Sequence, residues 1–520
     1  MSFDFLYPYV IVGLLLSVVW WFYKVYKDPQ SSTILPTLSF WGATITYAFV
    51  LYFTKFSFLY KLLLMLPRDL IAVVIVGLLA NNLKSARGYL LTAAAVGVGG
   101  YFLYSSYFSE KLWIYFEKNL PEVSTKKNSK LATDGEYLID IKSEKDLMKL
   151  SAQLSPLGVN LKRAFVDMKN PEATNLDEYY LVDIPENADI QQVTNIIEKS
   201  STIDWIEANE IVSLSPLETT PVNSTNHKID YGINDPELNK QWGFDKTEVA
   251  EYFNFLKEKG VKPNKKAKIA ILDTGVDSEH EDLKGNYKST KKKYDKDKQS
   301  HGTHCAGIAA AVSNNGLGIA SLNLNGEFTE ITSIKVLSDQ GFGTQADIIR
   351  GILEAADNQV DIISMSLGGP STDPAQRAYE EAFKYANQAG AIIVVAAGNS
   401  NENARYSVPA NCKGVITVSA INAQLDKASF SNTVEDVEMG IAAPGEEIHS
   451  TIPQSKYAAY SGTSMATPYV AGLLGVMKSL NPNLNTQEAY RILQKTGKET
   501  KSTTQTGRLV NPLGAIKALE

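Results

Sequence analysis

Two cysteines in 520 residues, Cys305 and Cys412, leave no disulfide framework to hold this chain together. Each lies among apolar or small residues and reads as a buried free thiol. Histidine is nearly as scarce, with five in the chain, so imidazole chemistry has few places to reside. A net charge of −7 and the lack of a long basic block set nucleic acid aside as a partner. The one Lys-rich run, Lys284 to Lys298, reads as a solvated loop. With a mean hydropathy of −0.13, the chain must rely on ordinary apolar cores, and its length predicts roughly three domains.

Charge is unevenly missing. Phe5 to Tyr23 carries none, and aromatics crowd both of its ends (Phe5, Tyr7, Tyr9; Trp20, Trp21, Tyr23). That is the length and belt of a spanning helix, and no small-residue cleavage site follows it. Residues 35–54 and 88–109 are also free of charge, whereas 62–83 is interrupted by Pro67-Arg68-Asp69. The pattern predicts an α-helical transmembrane region of three to four helices over 1–109, hence an integral membrane protein in contact with the lipid bilayer. Lys24 and Lys27 after the first span, with Lys84 and Arg87 before the last, place the C-terminal half on the extracytoplasmic side. Lys55, Lys61 and Arg68 count against that side. A Gly97-Val98-Gly99-Gly100 face offers a docking surface for membrane-protein partners.

After a linker over 110–135 the pattern becomes that of a small α+β domain, 136–216. Glu136 to Ile141 alternates like a strand and Ser143 to Leu157 has helical spacing. Strands at 161–168 and 178–184, a helix near 189–199 and a last strand near 210–214 complete a βαββαβ, ferredoxin-like order. Residues 217–230, rich in Thr, Pro, Asn and Ser, read as an exposed linker with a processing site. From 231 to 520, strand-like runs (Ile269–Leu272, Ile331–Leu337, Val360–Met365, Ile392–Ala396, Val415–Ala420) alternate with helical patterns near 303–312, 345–356 and 374–389. Such alternation predicts an α/β fold, a mostly parallel sheet with helices on both faces and a site at the carboxyl ends of its strands.

Four short stretches carry the chemistry: Asp273-Thr274-Gly275, His301-Gly302-Thr303-His304, Ala397-Gly398-Asn399 and Gly462-Thr463-Ser464-Met465-Ala466. They supply an acid, a base, an amide donor and a nucleophile, the set needed to hydrolyse a peptide bond. Asp273 follows an apolar run and would orient the imidazole of His301. Ser464 heads a helical run to about Leu480, where a helix N-terminus favours developing negative charge. Its own N–H and the Asn399 amide would hold the oxyanion. Any one stretch alone is weak evidence: Asp-Thr-Gly is a common turn, and most lone histidines are structural. His304 reads as a hydrogen-bonded packing residue, and His227, His280 and His449 as surface residues.

Residues 231–520 resemble the peptidase domain of the subtilisin-like serine proteases, the subtilases. The matching stretches include Ile271-Leu272-Asp273-Thr274-Gly275, His301 to Gly307 and Gly462 to Pro468. Tyr469 departs from the His usual there, with packing consequences only. Residues 136–216, with Trp205-Ile206-Glu207-Ala208-Asn209, are similar to the family's propeptide inhibitor domain. The resemblance implies an autoprocessing endopeptidase that acts on protein or peptide substrates, with its own propeptide as inhibitor and no organic cofactor. It implies that Gly341, Phe342 and Gly343 on one side, and Ser366, Leu367 and Gly368 on the other, clasp a substrate backbone. Leu337, Phe342 and Leu367 would line the pocket four residues upstream of the cut, and Ser407 the floor of the primary pocket. No acid is placed there, so the expected specificity is broad and apolar-leaning. Leu214 in the upstream pocket and Leu217 in the primary one would put self-cleavage after Leu217. Asp235, Asp282, Asn315 and the backbone of Val312, Leu317 and Ile319 resemble a calcium site, against a plain turn-forming Asn-Asn-Gly loop. Two rival roles remain open: a membrane signalling or shedding scaffold, and a catalytically silent binding module.

Overall fold

The computed structural model describes residues 131–132, 135–141, 143–214, 229–370 and 376–520, with four isolated positions between 39 and 46. The chain divides into two units, 1–125 and 126–520, and the description below concerns the second. Its first part runs β1 (Tyr137–Asp140), α1 (Glu144–Leu154), β2 (Asn160–Arg163), β3 (Tyr179–Asp183), α2 (Ile190–Glu198) and β4 (Trp205–Ala208). The helices start where short polar side chains satisfy free N–H groups: Ser143 accepts from Asp146 N, and Asp189 from Gln191 and Gln192 N. Leu150, Leu154, Val193 and Ile197 face Ile139 and Val182 in one small core. The antiparallel sheet has the order β2-β3-β1-β4. One boundary differs from expectation. The segment near 210–214 is not the last strand of this sheet but a separate strand, β5 (Ile211–Ser213), because Asn209 and Glu210 leave the sheet to cap a helix of the second part.

That second part is a six-stranded parallel sheet ordered β14-β13-β11-β9-β6-β7. Its strands are β6 (Ala267–Asp273), β7 (Thr329–Lys335), β9 (Ile362–Met365), β11 (Ile392–Ala396), β13 (Ile416–Ile421) and β14 (Gly440–Pro444). Short strands β8 (Phe342–Thr344), β10 (Gly369–Pro370) and β12 (Ser407–Val408), and the hairpin β15 (Ile448–Ile452) and β16 (Lys456–Tyr460), lie outside the main sheet. Strand alternation sorts the core. Ile269 and Ile271 join a cluster with α4 (His301–Ala310) and α7 (Thr463–Leu480), reached after α3 (Val249–Glu258). Ala270 and Leu272 join the opposite cluster, with α5 (Gln345–Asp357) and α6 (Arg377–Gln388). Helices therefore cover both faces. Strand β6 has β7 on one side and β9 on the other, so the winding reverses there, and its carboxyl end opens onto the crevice where such sheets bind ligands.

The expected membrane localisation is corrected. Among the described residues no helix is long and apolar enough to cross a membrane. A span needs about 20 continuous apolar residues in one helix. The longest described helix, α7, has 18 residues, and its side chains are taken up by the peptidase core. The stretches 5–23, 62–83 and 88–109, and all but four positions of 35–54, lie outside the described residues. The extracytoplasmic placement falls with that localisation, and the segments expected to meet lipid or membrane-protein partners lie outside the described residues.

Candidate active site

Strand β6 ends on Asp273, whose side chain is wholly buried. Its Oδ1 accepts from Thr274 N at 2.7 Å, and His301 Nδ1 lies 2.9 Å from both carboxylate oxygens. His301 opens α4. The helix comes this close to β6 because residue 302 has no side chain: a Cβ there would stand 2.1 Å from the Gly275 carbonyl oxygen. Burial by itself would push the imidazole pKa down, but the Asp273 carboxylate overrides it and holds the ring well above its ordinary value. An Nδ1–H given to the carboxylate leaves Nε2 to take a proton from a nucleophile. Cys305 packs against the same ring, with Sγ 3.9 Å from Nδ1, and donates to the Ser464 carbonyl at 3.4 Å. Burial raises that thiol's pKa, so it stays protonated.

Ser464 sits in the first turn of α7. Its Oγ donates to the Ser366 carbonyl at 3.2 Å, and Ser366 Oγ donates to the Ser464 carbonyl at 2.8 Å. The carboxylate–imidazole contact is thus made, while among the described residues the hydroxyl is turned to Ser366 rather than to His301. Hydrogen bonds of this kind are often formed only once substrate is bound. Cys305 touches both residues, which places them on one wall.

Asn399 lies just past β11. Its Oδ1 accepts from Thr463 N and Thr463 Oγ1, both at 2.9 Å, so its Nδ2 is the end left to face outward. Among the described residues that Nδ2 has no acceptor. A Cβ built on Gly462 would stand 3.4 Å from Asn399 Nδ2 and 3.6 Å from Ser464 N. Two donors therefore converge beside Gly462, where a side chain would lie in contact with both. Asn432, to which sequence reasoning assigned no role, holds this loop. Its Nδ2 donates to the Ala397 carbonyl and Ser407 Oγ, and its Oδ1 accepts from Ser400 N and Glu402 N. Its signal was the Ala428–Asn432 stretch, which carried no titratable group to draw attention.

The expected cleft is occupied by the chain itself. β5 pairs antiparallel with β8, in the register Ile211 to Thr344, Val212 to Gly343 and Ser213 to Phe342. Leu214 N donates to the Gly341 carbonyl at 2.9 Å, and β5 also runs beside β10. Val212 is buried in one apolar cluster with Leu337 and Leu367, and Leu214 is only partly buried. Two apart on the strand, Val212 and Leu214 share one face: Val212 is the more deeply buried, and Leu214 packs partly buried against the same cluster. Leu217 lies outside the described residues. Ser407, half-buried, accepts from Asn432 and lies next to Gly398. Gly368 packs on the Val408 carbonyl, and Phe342 is largely exposed at the rim.

Further corrections concern residues expected at the surface. His280 is fully buried, with Nε2 3.1 Å from the Lys456 carbonyl. His449 is buried and paired with Glu237. Both read as surface residues because of their flanking polar residues, but His449 lies on β15 of the hairpin and His280 packs against Lys456 of β16. His227 lies outside the described residues. His304 does pack, stacked on Tyr460 at 4.4 Å with Nε2 3.0 Å from the Ala458 carbonyl, and burial lowers its pKa to about 3. Tyr469 shares a hydrogen bond with Thr247. The Lys284–Lys298 run is less solvated than expected: Tyr294, Asp295 and Asp297 are buried, and Lys291 and Lys298 are ion-paired.

At the suggested calcium loop, Asp235 accepts from Asn314 N and Asn315 N, and Asp282 from Asn315 Nδ2, Ile319 N and the Tyr457 hydroxyl. Burial raises both carboxylates, Asp282 to about 6, helped by the nearby Asp235 charge. Among the described residues the carbonyls of Val312, Leu317 and Ile319 accept no hydrogen bond.

A family model described as Peptidase_S8, the Subtilase family, matches residues 264–514. Thermitase of Thermoactinomyces vulgaris is 40% identical over 255 residues, which cover 48% of this chain and 86% of that protein. A thermostable alkaline protease of Halalkalibacterium halodurans is 34% identical over 346 residues, 64% of this chain and 90% of that protein. Subtilisin amylosacchariticus, from a Bacillus subtilis subspecies, is 28% identical over 409 residues, 75% of this chain and 94% of that protein.

Proposed function

The chain belongs to the subtilase family and is a serine-type endopeptidase, and on that premise we propose that Ser464 is its nucleophile, His301 its general base, Asp273 the group that orients and charges His301, and Asn399 with Ser464 N its oxyanion donors. The observation that carries this reading is the placing of His301 Nδ1 at 2.9 Å from both Asp273 oxygens inside a fully buried pair. When the Ser464 hydroxyl turns from the Ser366 carbonyl to His301, the imidazole takes its proton as Oγ attacks the scissile carbonyl. The developing oxyanion meets two prepositioned N–H donors beside Gly462. The imidazolium then gives its proton to the leaving amine, and water repeats the cycle on the acyl-enzyme.

The α+β part serves as an internal inhibitor. What supports this is β5, which pairs with the strand that would clasp substrate and buries Val212 in the apolar cluster that holds Leu337 and Leu367. The match to subtilisin amylosacchariticus also covers 75% of the chain, more than the segment from 231 onward can supply. Calcium fits the loop at 312–319: two buried, mutually repelling carboxylates and three unengaged carbonyls are hard oxygens of the kind it prefers. Asp235, Asp282 and those carbonyls would hold it, and the ion would supply a rigid brace against the hairpin. Asn315 spends its side chain inside the loop, accepting from Leu317 N and donating to Asp282.

The test compares the full chain with Ser464→Ala on casein. The expected result is hydrolysis and self-processing by the first and neither by the second. Equal hydrolysis by both would remove Ser464 from the mechanism.

A further inference from the structure

Asp297 was given no role by the sequence, where it lies in the lysine-rich run Tyr294-Asp295-Lys296-Asp297-Lys298. In the structure its carboxylate is buried and saturated. Oδ1 accepts from Thr274 Oγ1 at 2.9 Å and from Gln299 N and Ser300 N at 3.0 Å each. Oδ2 accepts from Thr303 N at 2.9 Å and Thr303 Oγ1 at 2.7 Å. These donors come from two elements that must be held together for catalysis. Thr274 follows Asp273, and its N–H donates to Asp273 Oδ1. Ser300 and Thr303 flank His301 at the start of α4. Ser300 is left-handed, with φ 77°, an unfavourable backbone state for a residue with a side chain, and Asp297 binds its N–H. Thr274 Oγ1 in turn accepts from Gly302 N at 3.1 Å.

The contacts close a ring: Asp297 to Thr274, Thr274 to Asp273, Asp273 to His301, and the turn around His301 back to Asp297. We propose that Asp297 is a positioning residue for peptide hydrolysis, setting the distance between the acid and the base by binding both of their supports. It touches no reacting atom, and its effect passes through Thr274 and the first turn of α4. This rests on the endopeptidase assignment of Asp273, His301 and Ser464 above.

The experiment uses the full-length protein, with working sites counted by active-site titration. Hydrolysis by the unaltered chain and its loss in Ser464→Ala secure the underlying reading first. Thr274→Val removes the bridging hydroxyl with little change of shape, whereas Thr274→Ser keeps it. Asp297→Asn turns an NH2 group toward at least two donors whichever way it is flipped. The expected result is a kcat per titrated site ~10- to 100-fold lower in Thr274→Val and Asp297→Asn, as small misplacements of reacting groups cost. KM should stay within about threefold, the acid limb of the pH profile should move to lower pH, and Thr274→Ser should restore both rate and profile. Should Thr274→Val not fold, Thr303→Val removes one donor from Oδ2 and must show the same fall in kcat over KM. Folded variants that keep kcat within about twofold, with the acid limb unmoved, overturn the proposal. So does a loss that vanishes once rates are expressed per titrated site.

Discussion

At the scale of single residues, fixed partners decide which end of a side chain is left to face the cleft. Asn399 is the plainest case: Thr463 takes its oxygen twice, so the amide nitrogen must face the cleft. Asn399→Ala should lower kcat by ~10²–10³ with little change in KM, a cost known from subtilisin itself; steady-state kinetics on a peptide anilide check it. His301 carries a second prediction. Asp273 raises its pKa, and only the neutral ring can accept a proton, so activity rises as pH passes above the ordinary imidazole value of about 6.5. Asp273→Asn should cut kcat by roughly 10⁴ and shift the remaining acid limb downward. A pH–rate profile with its acid limb already below 6 in the unaltered enzyme would contradict this. The four motif residues were legible in the sequence because each must stand on a particular small-residue background. Asp297 and Asn432 were not, since their meaning lies in donors from distant segments and not in their neighbours.

At the scale of elements, Glu207 of β4 links the α+β part to the starts of two peptidase helices. Its Oε1 accepts from Gln345 Nε2 at 2.6 Å, and its Oε2 from Trp205 Nε1 at 2.9 Å and Ala378 N at 3.5 Å. Burial raises its pKa to about 7 despite these donors and the backbone N–H of Arg377; it acts on Tyr179 together with Asp140, Arg377 and Glu381, and on Tyr379 together with Glu210. A carboxyl raised in the assembled state holds best when protonated. Its contribution is complete below the unshifted value of 4.5 and is lost as pH rises toward about 7, up to about 3 kcal/mol. In Ser464→Ala, hydrogen exchange at 211–214 and 342–344, corrected for intrinsic rates, should therefore quicken across that window. Glu207→Gln should flatten the dependence, and an unchanged profile would contradict it. Strands such as Ile392–Ala396 were legible because burial on both faces leaves an unbroken apolar run. β14, with Gly440, Ala442, Ala443 and Pro444, was not, as its small side chains make no apolar run that stands out. β5 and β8 exist only through their pairing with each other.

At the scale of the whole molecule, the scaffold brings the end of β6 to the start of α4 and the end of β11 to the start of α7, so Asp273 meets His301 and Asn399 meets Thr463 although they are far apart in the chain. The loop at 312–319 follows α4 and is tied to Asp235 and Asp282. If calcium sits there, adding a chelator to Ser464→Ala should lower its melting temperature by several degrees, because a ligand of the folded state alone stabilises by mass action. An identical melt with and without chelator would remove the ion from the account. The α/β class and the site's place at strand ends followed from alternation, whereas the burial of His280 and His449 rests on contacts between distant segments, His280 with Lys456 and His449 with Glu237, that no local pattern announces. The account stands most directly on the identity of the nucleophile. A serine-directed phosphonyl fluoride, applied to the chain once it hydrolyses casein and followed by peptide mapping, should leave one label on Ser464, and His301→Ala should abolish it. A fully inhibited enzyme with its label on another residue would contradict the account.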